Sequence, residues 1–156
     1  MTKGWFLLGF IFLVAVTLFA PMAISSPGEE DEAQVPAFHT AAPIKGAKLP
    51  DILVKEQLWG SNAQYAVQVH AYELAAKIPS VLYQQPCYCY CDRSMGHKSL
   101  HSCFENVHGA QCATCMKELY YTYLMHKKGK TAAEIRRGII KGEWQQVDLQ
   151  MAAAIN

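Results

Sequence analysis

Pro86-Cys87-Tyr88-Cys89-Tyr90-Cys91 opens the segment that decides how this chain folds, and Cys112-Ala113-Thr114-Cys115 closes it. With Cys103 between them, these account for all six cysteines of the 156 residues. Cysteines serving only as small buried hydrophobes would be scattered through a core. Gathered in one segment, the sulfurs act on one another or on a shared object. The first three alternate strictly. In an extended segment that alternation points three sulfurs to one side and Tyr88 and Tyr90 to the other, with alternate Cα atoms about 7 Å apart. A bend then converges the sulfurs on one metal or small cluster, whereas a helix would spread them. Pro86 favours an extended residue before it and starts the segment rigidly. The two-residue gap of Cys112 and Cys115 lets both thiolates approach one ion, and on a helix Met116 joins Cys112 on the same face. Met95, His97, His101 and His108 lie between the two ends.

Thiolate and thioether donors select Cu(I), zinc or iron-sulfur clusters, and the segment offers only Asp92, Glu105 and Asn106 to hard ions. Covalent haem is excluded, because Met116 stands where the attachment motif needs His. Zinc takes four ligands and leaves two cysteines over, while Cu(I) shares bridging thiolates. The donor set therefore points to polynuclear Cu(I), with zinc as the alternative metal. The expected primary ligands are Cys87, Cys89, Cys91, Cys103, Cys112 and Cys115, completed by Met95, Met116 or one of His97, His101 and His108. Such a protein stores, delivers or inserts metal, or carries electrons.

Two other readings stay open. Six cysteines in an oxidising compartment can form three disulfides in a structural subunit of a membrane complex. Cysteines one residue apart close small strained rings, so Cys87, Cys89 and Cys91 would then pair outward with Cys103, Cys112 and Cys115. A thiol-disulfide oxidoreductase is the other, with Cys112 and Cys115 at a helix start where amide dipoles favour the thiolate. That chemistry usually sits on an α/β sheet, and no strand-helix alternation is visible. No Ser-His-Asp order, paired-carboxylate site or glycine-rich phosphate loop stands out, so no enzyme is expected.

Outward from the cysteines, residues 51–156 read as one small, mainly α domain with an extended Cys-rich segment. A first helix starts from Ser61 as cap and runs to Ile78, where Pro79 stops it. Its buried face is expected at Ala66, Val69, Tyr72 and Ala76. His70 lies beside that face and receives no ligand role. A second helix is expected from Ala110 to Lys128, ended by Gly129, with Leu119, Tyr123 and Leu124 on its apolar side. Thr131-Ala132-Ala133-Glu134 has the form of a capping box and starts a third, which buries Ile135, Ile139 and Ile140. Between Lys117 and Lys141 seven basic residues face two acidic ones. Most of that charge reads as solvated helix face; a negative partner, lipid headgroups or an anionic metal cluster would also balance it.

The N-terminal third reads differently. From Trp5 to Ile24 no residue is charged, and only Lys3 precedes the run. Residues 1–25 are therefore expected to be a signal peptide or a retained membrane anchor, and either sends the rest to the extracytoplasmic, periplasmic face. No cysteine near the end of the run provides for an acylated anchor. Residues 26–50 carry Pro27, Pro36, Pro43 and Pro50 and an acidic run at residues 29–32, the composition of a linker. With 14 Lys+Arg against 13 Asp+Glu, net charge is +1, which gives no basis for a nucleic-acid partner. The expected partners are a metal ion, a membrane protein, and the membrane itself if the N-terminal helix is uncleaved.

Gln85-Pro86-Cys87-Tyr88-Cys89-Tyr90-Cys91, followed by Asp92, Met95-Gly96-His97, Cys103-Phe104 and His108-Gly109, resembles the bacterial PCYCGC-motif proteins, which are exported or lipid-anchored. The resemblance covers Leu49 to Trp144. It implies a helical, cysteine-centred extracytoplasmic domain and no particular activity. Two departures matter. Tyr90 stands where the family hexapeptide has Gly, so a turn needing positive φ there is either different or accommodated at a cost. The lipid-anchoring cysteine common in relatives is missing, which leaves any attachment to the N-terminal helix.

Overall fold

The computed structural model describes residues 34–58 and 66–154. The apolar run at residues 5–24, the front of the Pro-rich segment and the Ser61 cap lie outside them. The described residues form helices, turns and coil without a strand. None of their helices is long and apolar enough to cross a membrane. The helices are α1 (Ala66–Lys77), α2 (Pro79–Leu82), α3 (Cys91–Met95), α4 (His108–Gln111), α5 (Ala113–Lys127), α6 (Ala132–Ile140) and α7 (Leu149–Ala152), with 3-10 turns at Lys55–Gln57, Leu100–Phe104 and Glu143–Gln146.

The long helix α5 is the axis of the domain. It buries Cys115, Met116, Glu118, Leu119, Tyr120, Tyr121, Thr122 and Tyr123, so nearly its whole circumference is covered. Helix α1 lies against it through a face that shares Tyr72 with the one the apolar spacing predicts but is rotated from it at both ends. Ala66 and Ala76 are exposed, and the buried residues are Gln68, Ala71, Tyr72, Leu74 and Ala75. Two polar groups of this face are met by backbone carbonyls, and one of them, Gln68, lies off the apolar stripe. Gln68 Nε2 donates to the carbonyl of Ala110 at 2.7 Å, and Tyr72 Oη donates to that of Asn106 at 2.6 Å. A count of apolar residues does not register buried groups satisfied by backbone acceptors. Pro79 ends α1 and also starts α2 as its first residue, where its missing N–H and fixed φ suit a helix start.

The second expected helix is broken. Cys112 adopts an extended conformation (φ −121°, ψ 109°) between α4 and α5, so the segment from Ala110 to Lys128 is two helices joined at a cysteine. Beyond Gly129, at φ 79°, the expected capping box forms: Thr131 Oγ1 accepts the Glu134 N–H at 3.3 Å, and Glu134 Oε2 accepts the Thr131 N–H at 2.8 Å. Helix α6 buries Ile135, Gly138 and Ile139. Gly138 faces the Tyr121 hydroxyl so closely that a Cβ there would overlap it.

Tyr72, Leu74, Leu82, Leu100, Phe104, Leu119 and Tyr120 are fully buried in the main core, which also contains Cys87, Cys91, Cys103 and Cys115. The described part of the N-terminal Pro-rich segment runs along this domain as coil. Ala37 N–H donates to Asp92 Oδ2 at 3.0 Å, His39 stacks flat on Tyr83 at 3.7 Å, and the Arg136 guanidinium lies 4.6 Å from the Phe38 ring centre.

Candidate metal centre

Four pieces of chain bring the cysteines together. The first is the turn at Cys87. The Gln85 side chain, with no solvent exposure, donates through Nε2 to the Val81 and Ala132 carbonyls at 3.0 and 3.3 Å, and the backbone carbonyl of Gln85 accepts from Leu100 N–H at 2.8 Å. This clamp delivers Cys87 to the core. The chain then reverses: Tyr90 N–H donates to Cys87 O at 3.1 Å, and Tyr90 takes the left-handed conformation (φ 56°, ψ 29°) before Cys91 opens α3. The extended alternation expected for Cys87, Cys89 and Cys91 is thus replaced by a tight turn. A turn closes the ~7 Å spacing of a strand, which is why Cys87 and Cys89 Sγ lie only 3.4 Å apart.

Tyr90 is the one non-glycine residue with positive φ among the described residues, a conformation costing an L-residue roughly 1–2 kcal/mol. Its ring offsets part of that cost. The Arg93 guanidinium sits 4.2 Å from the Tyr90 ring centre, and Tyr88 meets the ring edge-on at 5.8 Å. The glycine conformation is therefore kept without the glycine.

The second piece is the 3-10 turn Leu100–Phe104, which carries Cys103 with no exposure. The third is α4, whose His108 comes to 3.5 Å of Cys89 Sγ through Nε2. A Cβ at Gly109 would meet the Cys103 carbonyl and the Phe104 ring at 2.9 Å, so α4 approaches that turn at a distance only glycine permits. The fourth is the start of α5, where Cys112 and Cys115 occupy the cap and the first turn. Cys112 is the N-cap of this 15-residue helix.

The result is a sulfur triangle with a second pair beside it. Cys87, Cys89 and Cys115 are mutually 3.4, 3.5 and 3.6 Å apart, and Cys91 to Cys103 is 3.4 Å. His97 Nδ1 lies 3.4 Å from Cys103 Sγ and its ring meets that of His108 edge-on at 5.3 Å. All six cysteines are free thiols. Three overlapping sets of donors each lie within 4.8 Å of one another: Cys87, Cys89, Cys91 and Cys103; Cys89, His108, Cys112 and Cys115; and Cys91, His97, Cys103 and His108. Two thiolates bound to one tetrahedral zinc at ~2.3 Å are separated by about 3.8 Å, so the observed spacings fit shared coordination with small adjustments. This Cys-rich cluster is positioned to bind a metal ion.

Proton sharing among the sulfurs prepares it for that. Hydrogen bonds from Cys115 and Cys87 hold the Cys103 thiol below its ordinary range. Cys103, and after it Cys112 and Cys115, likewise lower Cys89. Cys87 is raised, chiefly because it hydrogen-bonds to Cys103 and Cys115. Cys89 and Cys103 are thus shifted toward the thiolate and Cys87 toward the thiol. Contact with Cys103 raises His97. Beneath the cluster, Glu118 is fully buried and burial pushes its carboxyl up to about 8.

Of the ligands read from the sequence, the six cysteines, His97 and His108 come together. His101 turns to Glu105, with Nδ1 and Oε1 2.8 Å apart, and joins none of the three sets. Met95 is 52% exposed at the end of α3, and Met116 packs into the core beside Cys115. His70 contacts the Tyr120 hydroxyl at 3.1 Å. Glu118 belongs to no ligand spacing in the sequence, although it follows Cys115 by three residues and so shares its face of α5.

A family model described as "Protein of unknown function with PCYCGC motif" matches residues 56–146, a span containing every member of the three donor sets. No curated protein and no solved structure matches the chain.

Proposed function

The chain belongs to the PCYCGC-motif family, and from that premise we propose that it is an extracytoplasmic Cu(I)-binding protein whose six thiolates hold a polynuclear cluster for copper storage, delivery or electron transfer. The observation that carries this reading is the sharing of donors. Cys89, Cys91, Cys103 and His108 each belong to two of the three sets, and bridging thiolates are a habit of Cu(I) rather than of four-coordinate structural zinc. The three sets consist of cysteine sulfur and histidine nitrogen, which supports a soft ion. Export rests on the uncharged run from Trp5 to Ile24. The protein binds and passes on its ion and performs no catalysis of its own, and a membrane protein is its natural recipient or donor.

All six cysteines are free thiols, which supports a metal centre over a disulfide-stapled role. Anaerobic titration of the reduced full chain with Cu(I), followed by native mass spectrometry, tests the proposal. More than one copper per chain and loss of all titratable thiols are expected. A reduced chain that takes up no Cu(I), or that binds only zinc, overturns it.

A further inference from the structure

The donors are not equally buried. Cys103 and Cys115 have no exposure, and Cys91 and Cys87 are 2% and 3% exposed. Cys89, Cys112 and His108 are only half-buried. The set of Cys89, His108, Cys112 and Cys115 therefore has one deeply buried member, whereas the set of Cys87, Cys89, Cys91 and Cys103 has one member that is not. Cys89 belongs to both and stands 3.4 Å from Cys87 and 3.6 Å from Cys115. Cys112 lies in the extended break between α4 and α5, so its sulfur is carried by backbone outside either helix.

Resting on the metal-binding reading above, we infer that the centre is graded: Cys89, Cys112 and His108 form an outer exchange port for a thiolate-bearing copper carrier, and Cys89 hands the ion to an inner store around Cys87, Cys91 and Cys103. On release, each copper–sulfur bond broken on the chain is replaced by one from the incoming thiolate. The proton of the incoming thiol passes to the departing cysteine or to water, and the metal stays Cu(I), so no electron acceptor is needed. A soft carrier is required because hard donors do not compete for this ion. Reactivity of the apo thiols follows the same gradient, since thiol attack depends on access as well as on thiolate character.

Two measurements on the reduced full chain test the port. Brief alkylation of the apo protein with iodoacetamide, mapped by peptide mass spectrometry, is expected to label Cys89 and Cys112 before the other four; equal or reversed labelling overturns the gradient. This arm reads the protein without copper and so is independent of whether copper is the cargo. In the second, the Cu(I)-loaded chain is challenged with glutathione and, separately, with a Cys-x-x-Cys peptide. Biphasic release is expected, and Cys112→Ser is expected to lose the fast phase while keeping the slow one. Exchange with glutathione assigns the carrier to small thiols, and exchange with the peptide alone assigns it to a protein. Single-phase release, or a fast phase untouched in Cys112→Ser, overturns the port, whereas failure to load copper at all counts against the copper proposal.

Discussion

Glu118 Oε1 accepts the backbone N–H of Tyr88 at 2.8 Å from a position with no solvent exposure. One buried carboxyl on α5 thus pins the turn that carries Cys87 and Cys89, three residues along the same helix from Cys115. Glu118→Gln keeps a side-chain oxygen for that N–H, whereas Glu118→Ala removes it and leaves a void. The alanine variant is expected to lose roughly 1–3 kcal/mol for the orphaned donor, with a further cavity loss, and to bind less metal. The glutamine variant should lie close to wild type. Chemical denaturation under reducing conditions, with metal content measured in parallel, checks the order; equal loss in both variants would mean that the hydrogen bond is not what matters.

Tyr90 holds the turn in a conformation that favours glycine. Tyr90→Ala keeps the backbone strain and loses the contacts with Arg93 and Tyr88. Tyr90→Gly loses the same contacts but relieves the strain. The glycine variant is expected to be more stable than the alanine variant by about 1 kcal/mol. Thermal melts of the two proteins read this directly, and the reverse order would contradict a left-handed Tyr90.

Close approach of α4 to the Cys103 turn makes Gly109→Ala a sensitive probe. The contacts at 2.9 Å are with a backbone carbonyl and a fully buried ring, neither of which yields easily. A loss of about 1–3 kcal/mol is expected, together with weaker metal binding because His108 and Cys103 move apart. Stability near wild type would show that α4 does not need this proximity.

The capping box of α6 carries a pH signature. Hydrogen bonds from the Thr131 backbone N–H and hydroxyl lower the Glu134 carboxyl below its ordinary 4.5. Stability from this group is therefore present above 4.5 and is lost as pH falls through the lowered folded value. Wild type is expected to exceed Glu134→Gln in melting temperature at pH 7, with the difference closing as the solution is acidified below 4.5. A difference that does not change with pH would place the effect elsewhere.

Much of this was legible in the residues. Six cysteines crowded between residues 87 and 115 point to a shared site, the hexapeptide points to the family, and Thr131 with Glu134 marks the start of α6 to the residue. What escaped did so for identifiable reasons. Tyr72 is buried as its spacing predicts, but the face of α1 also takes in Gln68, a polar residue buried because the Ala110 carbonyl meets it. The break at Cys112 has no glycine or proline to announce it, since Ala110-Gln111-Cys112-Ala113 reads as continuous helix. The turn at Tyr90 is hidden by a side chain that rarely adopts its conformation. Glu118 looked like one acidic residue in a basic stretch, and only burial reveals its place under the cluster.

X-ray absorption at the copper edge of the anaerobically loaded full chain tests the central claim most directly. The account predicts a first shell dominated by sulfur, with a minor histidine nitrogen component and a short copper–copper vector from bridging thiolates. A shell of nitrogen and oxygen alone, or copper that never enters the reduced chain, would contradict it.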